Sequence, residues 1–161
     1  MPQPQLSTRQ TATLARLRQI SRLLDNAVPI PGVGYRVGLD PLIGLIPGGG
    51  DLITGIISVY IVIEAARFGV PATTLGRMGF NILMDVLSGT IPVVGDFFDI
   101  AWKANAQNMA LLERYVMDPV PSGIADRIFA VVLIAVLLAI VVAVAGFSVW
   151  IVSWFLRIAG R

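Results

Sequence analysis

Leu39–Asp51 reads LDPLIGLIPGGGD, and Met84–Asp96 reads MDVLSGTIPVVGD. At an offset of 45 positions Asp40 falls on Asp85, Gly44 on Gly89, Ile46-Pro47 on Ile91-Pro92 and Gly50-Asp51 on Gly95-Asp96. Such ungapped agreement reads as one device used twice, D-x3-G-x-I-P-x2-G-D. Glycine permits a tight turn, and an aspartate at a helix start accepts from the free amides of the first turn. Asp40, Pro47, Gly50, Asp51, Asp85, Pro92, Gly95 and Asp96 are therefore expected to build turns and helix caps. No reaction follows from them.

The composition narrows the surroundings. Of 161 residues, 56% are hydrophobic and 14% charged, where soluble domains carry about a quarter charged. That balance points to lipid. Cysteine and histidine are both absent, which excludes disulfides, Ser-His-Asp and Cys-His nucleophilic sites and histidine-ligated metals. A net charge of +2 with dispersed arginines and one lysine is no nucleic-acid footprint. No cofactor and no metal is implied.

Outward from the doubled turn, residues 1–7 are a Pro/Gln-rich tail expected to be disordered, without the pattern of a cleavable signal peptide. From Thr8 to Asp25, Leu14, Leu17, Ile20 and Leu24 recur at helical spacing with Arg9, Arg16, Arg18 and Arg22 on the other faces. This amphipathic helix either packs on the domain or lies on anionic headgroups. Val28–Gly38 is too rich in Pro and Gly for a helix. Two helices follow, Leu52–Ala66 and one ending near Ser88, joined at Gly69–Pro71. The second carries Arg77, Asn81 and Asp85 as a polar stripe. A third is expected from Asp96 to about Met117, with Asp99 and Lys103 spaced for an ion pair. Antiparallel packing of the first two would put both P-x-x-G-D turns at one end, as parallel repeats.

Residues 119–127 read as a linker. Ile128–Leu156 is uncharged between Arg127 and Arg157, and as a helix would be about 43 Å long, more than the roughly 30 Å of a bilayer core. Trp150 and Trp154 suit an interfacial belt. The excess length implies tilt, a break near Gly146 or a projecting end. The expected architecture is an all-α membrane protein: an amphipathic N-terminal helix, a duplicated helix–turn–helix core over 8–118 and one transmembrane helix over 128–156. Whether the helices at 52–66 and 72–88 also cross the bilayer stays open.

GLDPLIGLIPGGGD, RMGFNILMD and IPVVGDFFDIAWKANAQN, with Asn105 and Asn108, resemble the domain of unknown function 4112 family over about Leu24–Tyr115. The resemblance implies a small membrane-associated helical protein of the kind found mostly in bacteria and archaea. It brings no activity, substrate or cofactor.

Three sharper readings attach to the carboxylates. Gly48–Asp51 matches the G-x-G-D half-site of an intramembrane aspartyl protease, which needs a second carboxylate from Asp40, Asp85 or Asp96 and more long spans than this chain has. Asp51, Asp85, Asp96 and Asp99 could hold a hard cation with Asn81 and turn carbonyls. Alternatively, an oligomer could line a pore. The favoured reading is a non-enzymatic structural or partner-binding protein of the cell membrane, its N-terminal domain cytoplasmic. Its partners are the lipid bilayer and either further copies or another membrane protein.

Overall fold

The computed structural model describes residues 6–26, 28–29, 36–37, 50–89 and 103–159, with side chains for 6–25, 52–87 and 103–158. Among these residues the chain forms five helices: α1 (Thr8–Asn26), α2 (Gly50–Phe68), α3 (Ala72–Gly89), α4 (Ala104–Met117) and α5 (Ile124–Ala159). Two short strands, β1 (Val28–Pro29) and β2 (Arg36–Val37), pair antiparallel with Val28 opposite Val37.

Ser7 starts α1. Its Oγ accepts from the Gln10 amide at 3.2 Å, while Gln10 Oε1 accepts from the Ser7 amide at 3.0 Å, the reciprocal pattern of a capping box. The apolar stripe then faces inward: Leu14, Leu17 and Leu24 are buried, and Arg9, Arg16, Arg18 and Arg22 are exposed. The helix therefore packs on the domain, the first of the two arrangements its sequence allowed. Arg18 Nη2 lies 2.7 Å from Glu113 of α4, and Arg16 donates to the Tyr60 hydroxyl of α2 at 2.6 Å.

The α2–α3 corner is set by Gly69, whose φ of +87° suits glycine. Gly69 N–H donates to Ala66 O and Val70 N–H to Ala65 O, while the Val70 and Ala65 side chains are both buried. This is a Schellman ending with its apolar contact. Pro71 O then accepts from the amides of Thr74 and Leu75 in the first turn of α3.

Contacts fix the directions. Asn108 of α4 meets Asn81 and Met78 of α3, Asn105 of α4 meets Ser58 of α2, and a side chain on Gly69 would meet Tyr115. α4 therefore runs alongside α2 in the same sense. Ala72, Gly76 and Gly79 of α3 lie level with Asp126, Phe129 and Leu133 of α5, so those two helices are also parallel. Across α1 and α4, Asp25 meets Ala106 and Arg18 meets Glu113, which is antiparallel. The core sits among all five helices: Leu17, Ile61, Val62, Leu75, Met78 and Leu112 are almost fully enclosed. Each contributes roughly 1.5–3 kcal/mol if buried from water.

Two expectations change. The helix ending at Met117 begins at Ala104, because Lys103 has φ −93° and ψ 78°, outside helical values. A single helix running from Asp96 through Met117 is thus not formed. α5 starts at Ile124, taking over the end of the expected linker, and it continues through Gly146 without a break. Its 36 residues make it about 54 Å long.

α5 lies on α2 and α3 by Ala130, Leu137, Val141 and Ala145, which recur along one stripe. Small residues let it come close. A methyl group on Gly55 would lie 2.8 Å from both Val141 γ-carbons, and one on Gly79 would lie 2.8 Å from Leu133 Cδ1. At Gly146 such a methyl would meet nothing within 4 Å. Gly55→Leu is therefore expected to destabilise the detergent-solubilised protein by about 1–3 kcal/mol through overpacking. Gly146→Ala should stabilise it by up to about 1 kcal/mol through helix propensity. Unfolding titrations that gave both variants the same sign would contradict this packing.

Candidate functional site

Helix α4 carries asparagines at 105 and 108, three residues apart and hence on one face. Both point inward and are essentially inaccessible, at 1% and 0%. An amide in an apolar interior costs several kcal/mol unless it is hydrogen-bonded, and these two are. Asn105 Oδ1 accepts from the Ser58 hydroxyl of α2 at 2.8 Å, and its Nδ2 donates to Asp25 Oδ1 of α1 at 2.9 Å. Ser58 Oγ also lies 3.0 Å from Thr54 O, one turn back in α2. Asn108 Oδ1 accepts from Asn81 Nδ2 of α3 at 2.8 Å, and its own Nδ2 donates to Met78 O at 3.2 Å. Two side chains of one helix thereby reach three others.

Asp25 has a second task. Its Oδ2 accepts from the Ala106 amide at 2.6 Å. Lys103, the residue that precedes α4, provides no side-chain cap. The first turn of α4 is thus capped from α1, across 81 residues of chain. A buried carboxylate is retained because it meets an amide N–H, a side-chain amide and the positive end of a helix.

A second carboxylate does the same work at the opposite end. Asp126 Oδ2 accepts from the Gly123 amide at 2.7 Å, closing the first turn of its own helix. Oδ1 accepts from the Ala72 amide, the first of α3, at 2.8 Å. One side chain serves two helix starts and sets their ends level. Nearby, Arg67 Nη1 lies 2.6 Å from Oε1 of Glu64, a carboxylate only 9% exposed.

Of the residues singled out in the sequence, Asp40, Pro47, Pro92, Gly95, Asp96 and Asp99 lie outside the described residues. Gly50 and Asp51 lie in the first turn of α2 by backbone, with their side chains outside those described. Asp85 is half-buried on α3. Among the described residues no three acidic side chains converge on a common point. The polar stripe of α3 divides: Arg77 is exposed and Asn81 is buried, because each four-residue step advances about 40° around the helix.

The sequence reading missed Asp25, Ser58 and Asp126. Asp126 had a legible signal, since it lies three residues after Gly123 at a helix start, the N3 position of a capping box. Asn105 and Asn108 also had one, because the same face continues into Met109 and Leu112. Asp25 had none, as its partner is distant in the chain.

A family model described as a domain of unknown function (DUF4112) matches residues 13–116. The match spans nearly all of α1 through α4 and stops before α5. No curated protein and no solved structure matches the chain.

Asp25→Ala leaves the Asn105 amide and the Ala106 N–H without this acceptor, and is expected to destabilise the fold by about 2–3 kcal/mol. Glu113→Ala removes only the partly exposed pair with Arg18 and is expected to cost less than about 1 kcal/mol. Chemical unfolding of the two variants side by side measures the difference; equal losses would contradict the capping role.

Proposed function

This chain belongs to the DUF4112 family, and on that premise we propose that it is a non-enzymatic integral protein of the cell membrane, a helical scaffold that binds a membrane partner or further copies of itself. The observation that carries this reading is the surface of α5. Its window of mean hydropathy 3.4 is long and apolar enough to cross a bilayer, yet only 22% of that window is buried within the protein. Val131, Val132, Val136, Val142, Phe147, Val149 and Trp150 all face outward. A core helix of a soluble protein is enclosed on every side; this one is enclosed along a single stripe.

In this reading α2 and α3, about 28 and 27 Å long, lie beside the first half of α5 in the apolar layer. Ile53, Ile56 and Phe80 of these helices are exposed as well. α1 carries its arginines outward on the other side, toward water and the cytoplasmic headgroups. Support for a non-enzymatic role comes from the missing histidine and cysteine, and from Asp25 and Asp126 being engaged with backbone amides.

Alkaline washing of membranes tests the proposal. The wild-type chain should stay in the membrane pellet, and Val136→Arg/Val142→Arg should release a large fraction of it, each arginine at mid-bilayer costing about 2.5–3.5 kcal/mol. Ala15→Arg, on the exposed face of α1, should change nothing. Release of the wild type into the supernatant would overturn the reading.

A further inference from the structure

A cleft of about 570 Å³ opens between α3 and α4. Arg77 comes to it from α3 and Arg114 from α4, with Thr73 and Gln107 beside them. Both arginines are exposed. Arg18 pairs with Glu113 and Arg67 with Glu64, and neither Arg77 nor Arg114 takes part in these two pairs. Glu113, the acidic neighbour of Arg114 in sequence, is paired with Arg18 of α1. Two arginines thus line one concavity, and among the described residues no carboxylate lines it with them. Like charges are not gathered this way for stability, and planar forks of donors suit the oxygens of a phosphate.

The rest of the wall is apolar. Phe80, 55% exposed, Leu111 and Gly76 also line the cleft, and a methyl group on Gly76 would lie 3.7 Å from Phe129 of α5. The concavity therefore borders the apolar helix on one side and the arginine-bearing surface of α4 on the other. A ligand that fits has an anionic head and a hydrocarbon body.

We infer that the Arg77–Arg114 cleft binds a phosphate-bearing amphiphile, an anionic phospholipid whose headgroup sits between the two guanidiniums while its chain runs along Phe80. The lipid as source rests on the membrane reading above; the phosphate chemistry does not. Thr73 and Gln107 supply neutral hydrogen bonds to the headgroup oxygens, and Phe80 shields the first methylenes. A zwitterionic lipid would bring its own cation to two arginines and binds less well.

The test uses the full-length chain in zwitterionic detergent, titrated calorimetrically with dioctanoyl phosphatidic acid, dioctanoyl phosphatidylcholine and inorganic phosphate. The expected order is phosphatidic acid tightest, by tenfold or more over phosphate, with phosphatidylcholine weaker still. Arg77→Ala/Arg114→Ala should weaken phosphatidic acid binding at least tenfold without changing the unfolding midpoint, and Arg77→Lys/Arg114→Lys should restore part of it. Phe80→Ala should weaken phosphatidic acid and leave phosphate alone. Equal affinity for phosphate and phosphatidic acid would overturn the lipid and assign the cleft to a soluble phosphate ester. No binding of either probe, or undiminished binding by the alanine pair, would overturn the site. A chain that leaves washed membranes yet binds these probes would sink the membrane reading and keep the cleft.

Discussion

Helix α5 is apolar around its whole circumference and covered on one stripe only, and the rest of the molecule has to be read from that mismatch. In water, apolar area left bare costs about 25 cal/mol for each Å² that could have been buried. The exposed valines and aromatics of α5 form a surface this domain does not cover. In the proposed membrane setting lipid would remove the penalty for them, and would remove equally the drive to bury Ala130, Leu137, Val141 and Ala145 against α2 and α3. Close packing must then hold the helices together, and Gly55 and Gly79 let the backbones approach. Asp126 ties the first turn of α5 to the first amide of α3, so the proposed anchor cannot slide along the domain without losing a charge-assisted hydrogen bond.

The interior obeys a second constraint that the first makes stricter. Where there is no water, polar groups must satisfy each other. Asn105 and Asn108 could be satisfied only by particular partners at particular heights, namely Asp25, Ser58, Asn81 and the Met78 carbonyl. Apolar contacts alone tolerate sliding, whereas these bonds allow one register of α1, α2 and α3 on α4. The family match covers these same helices. The residues of the network all lie within the matched segment, and α5 lies outside it.

Much of this was legible in the chain. Leu14, Leu17 and Leu24 announced α1 and its inward face, Gly69-Val70-Pro71 announced the corner, and the uncharged run from Ile128 announced α5. What could not be read depends on distance. Asp25 looks like the tail of a surface helix until Ala106 is beside it. The interruption at Lys103 has no proline or glycine to mark it, and periodicity carried the expected helix straight through. Of the three ways to absorb the excess length of α5, a break near Gly146 is the one not taken, because a lone glycine weakens a helix by only about 1 kcal/mol and a long apolar helix absorbs that. The doubled I-P-x-x-G-D stretches, on which the sequence reading turned, lie outside the described residues apart from Gly50, Asp51 and the Asp85–Gly89 end of α3. Because α2 and α3 are antiparallel, those described residues lie at one end of the bundle.

The central claim is that α5 meets lipid on its bare faces while its covered stripe stays on α2 and α3. The native chain has no cysteine, so single cysteines can be placed at will. The direct measurement is the labelling rate of Val131→Cys, Val136→Cys and Val142→Cys by a water-soluble maleimide in intact membranes, set against Gln19→Cys on the exposed side of α1. The account predicts that the α5 positions stay unreactive until detergent is added, while position 19 reacts at once. Labelling of positions 131, 136 and 142 in intact membranes as fast as position 19 would contradict it.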